Sequence, residues 1–135
     1  MIINNLEELD LYARKFSENI HPGDVINLIG DLGSGKTTFV QKIAKYLGVT
    51  SNVLSPSFSI VNIYDGKFRI YHLDLYRFES EEEIYDIDFE TYLYPKEAVT
   101  FIEWSNRAES FMPDNMINVK IEKISDTKRN FEVEK

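Results

Sequence analysis

The nine residues "GDLGSGKTT", Gly30 to Thr38, restrict the possible folds of this chain more than any other stretch. Gly30, Gly35, Lys36 and Thr37 satisfy G-x-x-x-x-G-K-[ST] without a gap. That motif functions where a buried strand runs into a loop and the loop opens a helix. Both flanks are present. "VINLI", Val25 to Ile29, is short, apolar and rich in branched residues, as a strand covered on both faces is. "GKTTFVQKIAKYLG" reads as a helix ending at Gly48, a suitable C′ residue. Gly30, Asp31, Leu32, Gly33, Ser34, Gly35, Lys36, Thr37 and Thr38 are therefore expected to hold a phosphate group. Backbone N–H groups and the helix N-terminus supply partial positive charge there. Lys36 neutralises β- and γ-phosphate oxygens, and the Thr37 hydroxyl ligates magnesium.

The remaining sequence supports one α/β domain over residues 1–135, with a mixed, mostly parallel sheet flanked by helices. Leu6, Leu9, Ala13, Phe16 and Ile20 form the stripe of an amphipathic helix over residues 5–20, which "HPGD" ends. "SFSIVNIY" and "KFRIYHLDLY" flank Asp65-Gly66, a pair that favours a two-residue hairpin turn. "ESEEEIYDIDFETYL" predicts one or two short helices with a solvated acidic start, "AVTFIEW" another buried strand, and "MINVKIEKI" with "NFEVEK" a closing C-terminal β-hairpin.

Composition narrows the function classes. The chain has 135 residues, no cysteine and a formal net charge of −8. The lack of cysteine excludes a disulfide framework, a zinc ribbon and a thiol nucleophile, and fits a reducing compartment, with cytoplasm as the expected location. No apolar run reaches the roughly 18 residues of a membrane span. The acidic balance disfavours autonomous nucleic-acid binding, which depends chiefly on Lys and Arg; any RNA is expected to be held by a partner.

Magnesium on a phosphate loop needs an acid from elsewhere, because phosphate oxygens and one hydroxyl leave octahedral positions to fill. Two carboxylates end apolar strands: Asp74 in "RIYHLD" and Glu103 in "TFIE". The carboxyl ends of parallel strands border the ligand crevice, so either can bind the metal directly or through water. His72 shares a strand face with Asp74 and reads either as a group orienting a carboxylate or water, or as a structural histidine. Trp104 reads as a stacking surface for a base or partner, or as core. The Pro-containing loop "SPSFS" reads either as a Ser-rich connection without function or as a source of a hydroxyl for a γ-phosphate or its magnesium, with Ser57 the candidate.

Four stretches in order, "GDLGSGKTTF", "SPSFSIVNIY", "YHLDLYRF" and "FIEWSNRAESFMP", closely resemble the TsaE (YjeE) family of bacterial tRNA threonylcarbamoyladenosine biosynthesis proteins, over nearly the whole chain. "HLDLYR" with "IEW" is more specific than the phosphate loop alone. The resemblance implies a small ATPase that uses ATP and Mg2+ and works with the TsaB and TsaD proteins, contacting tRNA only through their assembly. In that family the partners install the threonylcarbamoyl group on tRNAs that read codons beginning with A, and ATP hydrolysis resets the assembly between turnovers. Carried over, Lys36 matches the phosphate-binding lysine, Thr37 the magnesium-binding hydroxyl, Glu103 a metal ligand, Asp74 an acid of hydrolysis and Trp104 the tryptophan of the "EW" pair. The residues near Asn5 and Leu6 would border the adenine. Serine stands at Ser57 and Ser59 where the family usually has threonine; it keeps the hydroxyl and loses the methyl that restricts its rotamer. Asn106 replaces a frequent acid and Asp88 a common glycine.

Two rivals share the loop. A small-molecule kinase needs an acceptor pocket and an Arg-rich lid, for which this chain has little length. A GTPase-type switch commonly carries N-K-x-D, which does not occur here. Arg69, Arg77 and Arg107 can approach a nucleotide, but none is identifiable as a resident arginine finger, so slow turnover in isolation is expected.

Overall fold

The computed structural model describes residues 1–51 and 60–134. In chain order its elements are β1 (Ile2–Ile3), α1 (Leu6–Glu18), β2 (Val25–Ile29), α2 (Lys36–Tyr46), β3 (Val61–Asp65), β4 (Arg69–Asp74), α3 (Phe89–Leu93), β5 (Ala98–Glu103), β6 (Ile117–Lys123) and β7 (Arg129–Glu134). Two 3₁₀ segments, Glu81–Asp86 and Ser105–Phe111, follow β4 and β5. The strands form one sheet in the order β1-β7-β6-β2-β5-β4-β3. β6, β2, β5 and β4 run parallel at its centre, and antiparallel strands close both edges. This is the mixed α/β sheet expected from the sequence, with the C-terminal hairpin formed by β6 and β7.

Burial on both faces explains the apolar runs. All six residues of β5 are buried, and strand alternation sends Val99 and Phe101 to one face and Ala98 and Ile102 to the other. The first face packs against α1 and α2, where Phe39 is fully buried with its ring 5.3 Å from Phe16 and 5.1 Å from Phe131. Burial of such a side chain contributes about 1.5–3 kcal/mol. The second face packs against the 3₁₀ segments and α3 through Ile84, Leu93 and Ala108.

Local signals set the helix ends. Asn5 caps α1, its side-chain oxygen accepting from the Glu8 N–H at 2.9 Å. α2 closes in a Schellman arrangement: Val49 N–H donates to Ala44 O at 3.0 Å and Gly48 N–H to Lys45 O at 3.2 Å. The acidic stretch begins with a capping box between Ser80 and Glu83.

One turn differs from the sequence expectation. Asp65 pairs with Arg69, so residues 66–68 form a three-residue connection rather than a two-residue turn at Asp65-Gly66. Gly66 is not at positive φ. A Cβ there would collide with the Leu47 carbonyl oxygen and lie 3.0 Å from Val49 Cγ2. The glycine serves the close approach of the hairpin to the end of α2, a tertiary requirement that a dipeptide signal does not contain.

Candidate functional site

Parallel pairing brings the carboxyl ends of β2, β5 and β4 together. Glu103 is in register with Leu28 on one side and Asp74 on the other. His72, Asp74 and Glu103 project from the face on which α2 lies. Gly35 starts the helix with φ +105°, a left-handed conformation that favours glycine. The first turn of α2 then carries Thr37 to the strand ends, where its Oγ1 donates to Glu103 Oε2 at 3.1 Å. Helix N-terminus, hydroxyl and carboxylate converge from residues 66 positions apart.

Glu103 is buried and accepts a second hydrogen bond on the same oxygen, from His72 Nε2 at 2.7 Å. A neutral imidazole facing a carboxylate carries its proton on that nitrogen. His72 is fully buried and hydrogen-bonded to Glu103, a contact that fits both of its sequence readings, the carboxylate-orienting group and the hydrogen-bonded structural histidine. Asp74 is half-buried, and its Oδ1 accepts from the Tyr76 N–H at 2.9 Å. Burial holds the Asp74 carboxyl above its ordinary range; the Tyr76 hydrogen bond opposes this and the charge of Glu103 reinforces it.

Lys36 is buried, and desolvation lowers its pKa against the pull of Glu103, Asp74 and Asp31. Its Nζ donates to the Gly30 carbonyl at 2.5 Å and lies 3.9 Å from the centre of the Trp104 ring. Trp104 itself has φ +60°, uncommon for a residue with a side chain. The reversal after Glu103 sets its ring 4.9 Å from that of Tyr76 and under the lysine. Trp104 packs with the apolar residues on the second face of the sheet, in keeping with its core reading, and also supports the Lys36 ammonium.

The structure brings Gly30, Lys36, Thr37, Asp74, Glu103 and Trp104 together at the strand ends, with Ser34 and Gly35 on the side of the loop that faces Asn5, while Asp31, Leu32 and Gly33 form the exposed crest of the loop. Asn5 and Leu6 line a pocket of about 600 Å³ with Ser34, Gly35 and Thr38. A second cavity of about 580 Å³ borders Lys36 and Trp104, with Asn27 and Asn118 in its wall. Ser57 and Ser59 lie outside the described residues. Arg69 stands at the end of β4 remote from Asp74 and pairs with Asp65 at 3.1 Å, and the guanidinium carbon of Arg107 is 5.4 Å from the Tyr76 ring centre. The arginine at the loop is a different one, Arg129, whose Nε donates to Ser34 O at 2.8 Å. No local signal marks it, because sheet closure brings it from 95 residues away.

A buried strand, a glycine loop with its lysine and hydroxyl, a helix, and acids ending neighbouring parallel strands together define a P-loop NTPase-like, nucleotide-binding protein. Comparison with known proteins narrows the class. The family described as "Threonylcarbamoyl adenosine biosynthesis protein TsaE" matches residues 3–131, and the chain belongs to that family. It is 38% identical over 129 residues to the tRNA threonylcarbamoyladenosine biosynthesis protein TsaE of Rickettsia prowazekii (strain Madrid E), covering 94% of this chain and 88% of the relative. To the protein of the same name from Bacillus subtilis (strain 168) it is 38% identical over 126 residues, covering 93% and 78%. The crystal structure of Bacillus subtilis YdiB superposes with a TM-score of 0.82 at 30% identity, covering 98% of this chain and 82% of that one.

Proposed function

We propose that this protein binds ATP with magnesium and hydrolyses it in support of tRNA threonylcarbamoyladenosine biosynthesis, as a cytoplasmic partner of TsaB and TsaD that meets tRNA only through their assembly. The observation that carries the reading is the meeting of Lys36, Thr37 and Glu103 at the start of α2. Family membership and the names of the relatives point the same way.

The donor set fits a magnesium nucleotide. Lys36 is a buried cation whose contacts are a carbonyl and a ring face, so phosphate oxygens would be better partners for it. Thr37 and Glu103 offer the hard oxygens that magnesium prefers, with nucleotide phosphates and water completing its octahedron. When bound, the metal would neutralise charge on the β- and γ-phosphate oxygens. His72 holds Glu103 at one oxygen and leaves the other for a ligand. Asp74, with a proton affinity raised by burial, is suited to orient an attacking water and accept its proton. Asn5, Leu6 and Thr38 border a pocket of nucleoside size beside the loop.

Calorimetric titration of ATP with and without magnesium tests this assignment. Lys36→Ala is expected to weaken ATP binding by about two orders of magnitude, matching roughly 3 kcal/mol for a charge-assisted contact. Glu103→Ala is expected to retain binding and lose its enhancement by magnesium. Unchanged magnesium coupling in that variant would refute Glu103 as a ligand.

A further inference from the structure

The C-terminal hairpin supplies a residue to the nucleotide site that the phosphate-loop motif does not contain. Arg129 opens β7, with its backbone paired to Ile3 on one side and Lys123 on the other. Its guanidinium is fixed by three backbone carbonyls: Nε donates to Ser34 O at 2.8 Å, and Nη1 to Ser125 O at 2.7 Å and Lys128 O at 3.0 Å. A planar fork held at two nitrogens keeps a defined orientation, which a lysine ammonium on a flexible stem does not.

The carbonyl that Arg129 holds belongs to the peptide joining Ser34 to Gly35. In a trans peptide the C=O and N–H point in opposite directions. Fixing Ser34 O toward β7 therefore aims the Gly35 N–H the other way, away from the hairpin at the start of α2. Nε of Arg129 lies 3.8 Å from where a Gly35 Cβ would stand, so the guanidinium packs directly on the loop. Among the described residues lining the pocket with Asn5, Leu6, Ser34, Gly35 and Thr38, Arg129 is the only cation, and the other charged walls are Glu7 and Asp126. Among the described residues no other side chain bonds a loop carbonyl from the hairpin.

We propose that Arg129 is a positioning residue for nucleotide binding: it sets the Ser34–Gly35 peptide so that the loop presents its N–H groups to the phosphates of a nucleoside di- or triphosphate. The inference rests on the proposed ATP site. It also makes the C-terminal hairpin part of that site, since displacement of β7 would release the loop peptide.

Titration of ADP and ATP into the full chain bearing Arg129→Gln or Arg129→Lys tests it. Both variants are expected to lose about tenfold in affinity for each nucleotide, the scale of one charge-assisted hydrogen bond. Val99→Ala, a core truncation on β5, serves as a control that lowers the melting temperature while leaving affinity at wild-type level. Wild-type affinity in Arg129→Gln would overturn the proposal. So would full rescue by lysine, which would assign the effect to charge alone, or an equal loss in Val99→Ala, which would assign it to stability. Should the unmodified protein bind neither nucleotide, the ATP reading falls together with this one; failure of the Arg129 variants alone leaves that reading standing.

Discussion

The burial of Asp74 sets the stability of the protein against the role proposed for this residue in hydrolysis. Its folded pKa is raised, chiefly by burial, so the fold favours the protonated carboxyl more than the unfolded chain does. The stabilising contribution of that proton is complete below the ordinary carboxylate range and is lost as pH rises through the folded value. At neutral pH the ionised Asp74 therefore destabilises the nucleotide-free protein. Asp74→Asn is expected to raise the melting temperature at pH 7, and the gain should vanish on acidification below the carboxylate range. The same variant should lower ATP turnover by about 10²-fold or more while leaving ATP affinity nearly unchanged. A melting temperature that does not rise at pH 7 would contradict the burial account. Lys36 is burdened in the same way, its charge disfavoured by desolvation, and in the proposed ATP site a phosphate would offset that cost. Both residues were legible in the sequence, Lys36 from its motif and Asp74 from its place at the end of an apolar run. The contact of His72 was not, because the register of β4 against β5 decides which carboxylate its Nε2 meets.

Among the elements, strand and helix identities followed from local patterns, whereas their junctions depended on neighbours. α1, α2 and the closing hairpin occupy the expected stretches, since periodicity and turn residues act within a few positions. The β3–β4 turn departed from expectation because α2 sits against it. Lys67 N–H donates to Leu47 O at 2.5 Å, which draws the hairpin onto the helix end and leaves no room for a side chain at Gly66. Gly66→Ala is accordingly expected to destabilise the protein by about 1–3 kcal/mol through forced backbone movement. A lower urea midpoint with an unchanged m-value would show it. An unaltered midpoint would mean that the helix end yields freely. Arg129 belongs to the same category: its role depends on β7 closing against β1 and β6, and nothing in "TKRNFEVEK" marks it.

For the whole molecule, the proposed ATPase reading carries the expectation of slow turnover alone, because the sequence identifies no arginine as a resident finger. Turnover by the purified protein should fall well below the roughly 10 s⁻¹ typical of enzymes, and TsaB with TsaD should raise it. A supplied arginine finger can be worth about 10³–10⁵ in rate. Multiple-turnover tRNA modification measured with and without this protein tests the assignment: omission should stop modification after about the first round. Modification that continues at the same rate would refute it. The sequence by itself determined the phosphate loop, the strand and helix around it, the two carboxylates and the family, because each is written in contiguous residues with short-range physical meaning. Only the tertiary structure decided that Glu103 meets both Thr37 and His72, that Lys36 rests on Trp104, and that Arg129 holds the loop from the far edge of the chain. Those contacts arise from sheet order and register, which are set by the burial of two faces at once.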